Sequence, residues 1–289
     1  MRGIFVDNGS LRSPKFREPW DMMRSSFQSA GVVLEHRYNT DLCFPIGDFE
    51  SLEKMVGDPD FVLFWDKDTL LASNLELAGL HVMNGSRCIG ICDDKSLTHI
   101  ELCRARIPSP RTSVLPLTFS ETDLSRTVES LESSFGYPMV VKDCHGSFGE
   151  QVRMVSNHDE LLLEISDTRV PTIVQEFVPT GGRDVRVEVV GGEPIAAMER
   201  KAPEGDFRSN VTIGGSMKAV NPSGDVEELA IRAAECVGAG FCGVDILYSP
   251  SGPTVCEVNS NAHIRNITDC TGIRVADLIR DHVVSECKR

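Results

Sequence analysis

Asp245, Glu257 and Asn259 stand in the stretch FCGVDILYSPSGPTVCEVNS, in which two apolar runs flank a turn rich in serine, glycine and proline. A hairpin centred near Ser251 sets Asp245 opposite Glu257, and Asn259, two residues on, shares the face of Glu257. Two carboxylates and an amide oxygen on one patch of sheet repel unless a cation joins them. An all-oxygen set of this kind suits Mg²⁺, with Mn²⁺ as the alternative ion. The plainer reading is a solvated hairpin face on which acidic residues meet by chance.

A second stretch, VVKDCHGSFGEQV, is an apolar strand that ends on Lys142 and breaks into the loop His145-Gly146-Ser147-Phe148-Gly149. Glycines let backbone N–H groups approach an anion closely while lysine supplies charge, so phosphate is the natural ligand. The loop is not a Walker A motif, because there the lysine follows the loop and opens a helix. An ordinary turn beside a solvated lysine is the alternative. Between these two stretches, MERKAPEGDFRSN places Arg200, Lys201 and Arg208 around a glycine-containing loop. Such cations complement a nucleotide held between a phosphate loop and a metal-type hairpin, or they belong to a basic surface loop.

The elements that must position these residues change character along the chain. Residues 1–93 alternate strand and helix signals: GIFV, EPWDMMRSSFQSA ending at Gly31, VVLEH, FESLEKMV, FVLFW, TLLASNLELAG and HVMN. That alternation predicts a parallel α/β sheet, without the GxGxxG turn of a dinucleotide site. From residue 94, DDKSLTHIELCRARIPSPRT predicts a helix capped by aspartate and stopped by Pro108. Leu124, Val128, Leu131 and Phe135 recur at helical spacing, and MVVK, QVRMV and TIVQEF read as strands around the helix HDELLLEI. In DVRVEVV the residues Val185, Val187 and Val189 alternate onto one face before GGEP turns into IAAMER. A helix across Val226 to Val237, the hairpin, and the helix TGIRVADLIRDHVV complete the chain.

Length and composition bound what this machinery serves. The 289 residues suffice for two modest domains, and 41% hydrophobic with 25% charged residues describes an ordinary globular protein. The net charge of −14 is shared by the first 93 residues and the rest, which argues against nucleic acid as a ligand. The ten cysteines form no CxxC pair, and the seven histidines form neither HxH nor HExxH, so a histidine-based zinc site is not expected. MRGIFVD reads as a first strand rather than a leader, and no apolar run approaches the roughly 20 residues of a membrane span. Reduced thiols and a cytoplasmic location are the expectation.

The order of these pieces resembles the ATP-grasp ligases, and specifically the RimK-type amino-acid ligases. The resemblance covers residues from about 93 to 289, two thirds of the chain. It is carried by DDKSLT, GYPMVVKDCHGSFGEQV, IVQEFV, GGRDVRVEVVGGEPIAAMERKAPEGDFRSN, CGVDIL and EVNSNAH. The fold it implies is a mixed α/β (α+β) one, an ATP-grasp domain over 94–289 preceded by a small Rossmann-like pre-ATP-grasp domain over 1–93. ATP would lie between two lobes, about 94–175 and 176–289.

By resemblance, Lys95 and Lys142 bind nucleotide phosphate, and the glycine loop with Ser147 closes over it. Gln175, Glu176 and Phe177 form the strand edge that reads adenine, and Asp184 contacts the ribose side. Arg208, Ser209 and Asn210 form the triphosphate-side segment, while Arg200 faces phosphate or acyl phosphate. Arg200 and Arg208 are thus the catalytic cations, and Asp245, Glu257 and Asn259 the magnesium ligands.

Two departures concern substrates. Thr212-Ile213-Gly214-Gly215 replaces a His-Arg-Gly-Gly run, and Asn261-Ala262-His263-Ile264-Arg265 replaces a Pro-Gly turn. His263 and Arg265 become candidates to select the substrate, by orienting an amine or clamping an acid, unless this stretch only caps the following helix. The activity implied is ATP-dependent ligation of a carboxylate to an amine through an acyl phosphate, with small-molecule or peptide substrates and no membrane partner. Assembly into a homo-oligomer is compatible with the sequence. A catalytically silent nucleotide-binding regulator is the alternative. A serine hydrolase built on Ser147 is disfavoured, because that elbow needs a helix after it and QVRMV reads as a strand.

Overall fold

The computed structural model describes residues 1–120, 122–146, 149, 151–166, 169–208 and 214–288. The first strands, β1 (Arg2–Asp7), β2 (Val33–Tyr38), β3 (Phe61–Phe64) and β4 (Val82–Met83), form a parallel sheet ordered β2-β1-β3-β4. They alternate with α1 (Pro14–Ser29), α2 (Phe49–Val56) and α3 (Thr69–Leu77), as the periodicity predicts. The local reasons are visible in the caps. Asp48 and Asp68 accept the backbone N–H of Ser51 and Leu71 at the starts of α2 and α3, and Gly57 closes α2 at φ 66°.

Two helices follow, α4 (Ser86–Asp93) and α5 (Lys95–Arg104), and Asp94 caps the second by accepting from the backbone of Ser96 and Leu97. Only α5 is foreseen by the sequence pattern. Next come β5 (Thr112–Val114), α6 (Ser125–Phe135), β6 (Met139–Asp143), β7 (Val152–Val155), α7 (His158–Ile165) and β8 (Thr172–Glu176). Their strands make an antiparallel sheet ordered β5-β8-β6-β7, with Val128, Leu131 and Leu161 of the helices buried against Val141 and Val174.

The largest sheet is antiparallel and ordered β11-β10-β9-β12-β13. It is built from β9 (Arg183–Val190), β10 (Glu193–Lys201), β11 (Ser216–Ala219), β12 (Phe241–Ser249) and β13 (Gly252–Asn259), with α8 (Gly224–Val237) between β11 and β12. One face carries Val185, Val187 and Val189 into a core with α8, and α4 and α5 add Cys88, Ile91 and Leu102 to it. The terminal helices α9 (Ile264–Thr271) and α10 (Val275–Glu286) pack Ile267 and Ile279 into a second core. That core joins Phe5, Phe27 and Trp65 of the first region to Phe241 and Met198 of the large sheet. Asn84 clamps the same junction, donating to the carbonyls of Phe241 (2.8 Å) and Ser260 (2.7 Å) and accepting from Gly240 N (2.9 Å). The parallel sheet, the large sheet and the metal-type hairpin are therefore packed as one body.

Candidate active site

A cleft of about 800 Å³ opens between the two antiparallel sheets and the carboxyl ends of β1 and β3. Strand alternation decides what faces it. With the valines of β9 turned into the core, Asp184, Arg186 and Glu188 occupy the opposite face. Met198 and Arg200 of β10 pair with Arg186 and Asp184, Asp245 of β12 pairs with Arg186, and Glu257 of β13 pairs with Asp245. The cross-strand partnership expected for Asp245 and Glu257 is present. The register slips between Asp245 and Ile246, where β13 carries Cys256 as an extra residue. This bulge lets Cys256 line the cleft beside Glu257.

The two expected phosphate lysines both line the cleft. Lys142, on β6, reaches from the smaller sheet toward the bulge, its Nζ 3.8 Å from Cys256 Sγ. Lys95 is the first residue of α5, with its Nζ 3.4 Å from the Cys144 carbonyl oxygen. Gly149 of the glycine loop is tied to Arg208, whose Nη1 donates to the Gly149 carbonyl at 2.9 Å while its other nitrogens hold Asp206. Ser147, Ser209 and Asn210 lie outside the described residues. The strand β7 follows the glycine loop, which removes the helix a hydrolase elbow requires.

The strand edge Gln175-Glu176-Phe177 lines the cleft as well. Gln175 is buried and its amide donates to Thr112 Oγ1 and His99 Nε2, each at 2.7 Å. A histidine that accepts at Nε2 is neutral with its proton on Nδ1. Burial, with the charges of Lys142 and Lys95, pushes the His99 pKa down to about 3. The Glu176 carboxylate is bound by Arg111 Nε at 2.7 Å, and Phe177 packs edge-on to Phe207 at 6.2 Å. Asp184, the residue expected on the ribose side, lines the cleft, and Arg200 donates to both its oxygens, at 2.7 and 2.5 Å.

Asp245 is also held. Arg186 donates to both its oxygens at 2.7 Å, and Arg200 Nη2 lies 3.0 Å from Oδ1. Burial pushes the Asp245 carboxyl up, but the two arginine charges outweigh burial and hold it at about 2. Glu188, one pair deeper on β9, is 2% exposed with no partner at Oε1, and burial pushes its pKa up to about 7 against the pull of Arg186.

His263 and Arg265 reach the cleft from the start of α9. His263 Nε2 lies 3.0 Å from the Lys15 carbonyl oxygen and 3.3 Å from Glu18, and Arg265 is 3.6 Å from Asp269. His263 occupies the cap position of α9 but makes no side-chain cap hydrogen bond, which weakens the purely capping reading. The sequence reading misses the wall supplied by the first region: Asn8, Lys15, Glu18, Trp65 and Asp66. Asp66 is buried there and accepts from Asn8, Asn39 and the backbone of Lys67. It also misses Arg186 and Glu188, although the alternation that buries the valines already places them beside Asp184.

The hairpin oxygens fit a hard divalent cation. The Glu257 side chain makes no hydrogen bond or ion pair among the described residues and lines the cleft, and the Asn259 amide has a buried end without a partner. A half-turn of the amide exchanges its oxygen and nitrogen, so that end serves equally as an oxygen ligand. Among the described residues no three His, Cys, Asp or Glu side chains cluster as a metal cage.

A family model for the RimK-like ATP-grasp domain matches residues 92–283. A probable alpha-L-glutamate ligase of Shewanella loihica is 34% identical over 224 residues, 76% of this chain and 72% of that protein. An uncharacterized MG012 homolog of Mycoplasma pneumoniae is 30% identical over 251 residues, 84% of this chain and 85% of that protein. Among solved structures, a RimK domain ATP-grasp protein from Sphaerobacter thermophilus superposes with TM-score 0.73 at 21% identity, covering 98% of this chain and 100% of that one. The ATP-grasp ligase PsnB, solved with a phosphomimetic variant of its minimal precursor, Mg and ADP, gives TM-score 0.70 at 18% identity, covering 99% of this chain and 98% of that one. At these identities the structural likeness speaks for the fold.

Proposed function

The chain belongs to the RimK-like ATP-grasp family, and on that premise we propose that its cleft joins an amino acid to an acceptor carboxylate through an acyl phosphate. The chain is an ATP-grasp ligase of the kind that forms carbon–nitrogen bonds. A carboxylate oxygen attacks the γ-phosphorus of ATP, the bond to ADP breaks, and the amine nitrogen then displaces phosphate from the acyl carbon and loses a proton to water. No protein nucleophile is needed, so positioning and electrostatics supply the catalysis.

The observation that carries this reading is the meeting of Lys142 on one sheet with the Cys256-Glu257 bulge on the other, across one cleft. It brings a phosphate-type cation to the edge of a metal-type carboxylate set. Magnesium, or manganese in its place, would be held by Asp245, Glu257 and Asn259 and would supply charge neutralisation at the nucleotide phosphates. Lys95, Lys142 and Arg208, with Ser147, Ser209 and Asn210, would hold those phosphates. Arg200, kept charged by Asp245 and Asp184 against the cost of burial, would face the transferring group. Gln175, Glu176 and Phe177 would border adenine, and Asp184, which fixes Arg200, would contact the ribose side.

Glutamate is the leading amine, by the names of the relatives, and the cations Lys15 and Arg265 near His263 suit an acidic substrate. The ten cysteines are unpaired, which is compatible with action in the cytoplasm. Among the described residues no helix is long and apolar enough to cross a membrane. The capture of Asp245 by two arginines favours one competing reading, a silent nucleotide binder. Titrating ATP into wild-type protein and Lys142→Met with Mg²⁺ tests the assignment. A charge-assisted phosphate contact contributes about 1.5–3 kcal/mol, so the variant is expected to bind ATP roughly ten- to a hundredfold more weakly. Equal affinity removes Lys142 from the nucleotide site.

A further inference from the structure

Arg186 spends its hydrogen bonds on one residue. Its Nε and Nη2 each donate to Asp245 at 2.7 Å, and no other hydrogen-bond partner occurs among the described residues. Arg200 also touches Asp245, but its firmer hold is on both oxygens of Asp184. A divalent cation taking the Asp245 oxygens would therefore leave Arg200 paired and strand Arg186 as a buried charge beside a second positive ion. A stranded buried charge opposes binding of the metal.

The acceptor for that charge is already in place. Glu188 lies two residues along β9, on the same face as Arg186 and about 7 Å further along the strand. It is 2% exposed, and its Oε1 has no partner. Gly243 separates it from Asn259 on the neighbouring strands, with Glu188 and Asn259 each paired to that glycine. A Cβ at Gly243 would come within 3.0 Å of Glu188 Oε1 and 3.4 Å of Arg186 Cδ, so both side chains border the same glycine. A buried carboxylate left unpaired is costly to a fold, and a role in which it gains a partner accounts for its presence.

We propose that Glu188 is a positioning residue for the metal site: when Asp245 binds a divalent cation, the Arg186 guanidinium transfers from Asp245 to Glu188. The swap keeps the buried Arg186 charge paired before and after, and gives Glu188 a partner once the metal is bound. It rests on the metal reading of Asp245, Glu257 and Asn259, and it removes the objection that Asp245 is already engaged.

The test is Mn²⁺ binding in the presence of a non-hydrolysable ATP analogue, read as free Mn²⁺ by electron paramagnetic resonance, together with thermal unfolding without metal. Glu188→Gln keeps the shape and removes the charge. It is expected to weaken Mn²⁺ binding about tenfold, equivalent to about 1.4 kcal/mol. Without metal its unfolding temperature should be no lower than that of the wild type, because Asp245 holds Arg186 there. Glu188→Asp, which restores the charge, should recover most of the affinity. Wild-type affinity in Glu188→Gln overturns the swap and leaves the metal site standing. Weakened binding accompanied by a lower unfolding temperature without metal also overturns it, in favour of a structural role. Wild-type protein that takes up no Mn²⁺ removes the metal reading itself, and the swap with it.

Discussion

His99 is a buried base beside two lysines, and that position makes it costly to protonate. Its Nε2 accepts from Gln175, and burial with Lys142 and Lys95 lowers its pKa to about 3, whereas an unfolded histidine titrates near 6.5. As pH falls below about 6.5 the unfolded chain takes up this proton and the folded chain does not. The stability is therefore complete above that pH and is lost progressively toward pH 3. Between pH 7 and 5 the loss from this residue is about 2 kcal/mol, set by the unfolded value. In His99→Gln the drop in unfolding temperature from pH 7 to pH 5 should be smaller than in the wild type by a few degrees. Identical pH slopes for the two proteins would contradict it. At this scale the sequence was legible where period and chemistry agreed: Asp245, Glu257 and Asn259 follow from a hairpin and a two-residue period. Cys256 was not, because a bulge breaks that period and turns an ordinarily core-facing position into the cleft.

The segment that follows the hairpin shows how far elements can be read. Ile264 and Ile267 bury one side of α9, but Asn266, Thr268 and Asp269 are weak helix formers, so no periodic signal marks the element. The helix α4 is hidden for a different reason: SRCIGICD carries a central glycine and starts at Gly85 without a side-chain cap. The edge strands β5 and β11 are only three and four residues long, too short for alternation to show. Because α9 starts at the cleft, its first turn places Arg265 in the cleft wall, and the proposed function has it meet substrate rather than adenine. Arg265→Ala is expected to raise the KM of the acid or the amine about tenfold or more while the KM for ATP stays within about twofold. A rise in both, with a lower unfolding temperature, would assign Arg265 to holding α9 in place.

At the scale of the whole molecule, motif order along the chain marks the cleft wall that carries Lys95, Lys142 and Gln175, whereas the opposite wall depends on how distant segments pack. Trp65 stacks on Phe241 with ring centroids 5.5 Å apart and 11° between planes, and Asn84 clamps the start of β12 to the turn after β13. These contacts bring the carboxyl ends of β1 and β3 to the cleft, where an open parallel sheet ordinarily offers a ligand site. No local pattern announces them, since an Asn-Gly-Ser loop after a strand also reads as a simple turn. A cleft walled on three sides by separate sheets suits a reaction that must hold ATP, an acid and an amine together and exclude water. The decisive measurement is ADP release with Mg²⁺ and ATP, using glutamate as amine and acidic peptides as acceptors, with the coupled product weighed by mass spectrometry. ADP is predicted only when acid, amine and ATP are all present, in equal amount to a product heavier than the acceptor by one amino-acid residue. ADP formed at the same rate with water alone, or no ADP with any pair despite bound ATP, would contradict a ligase.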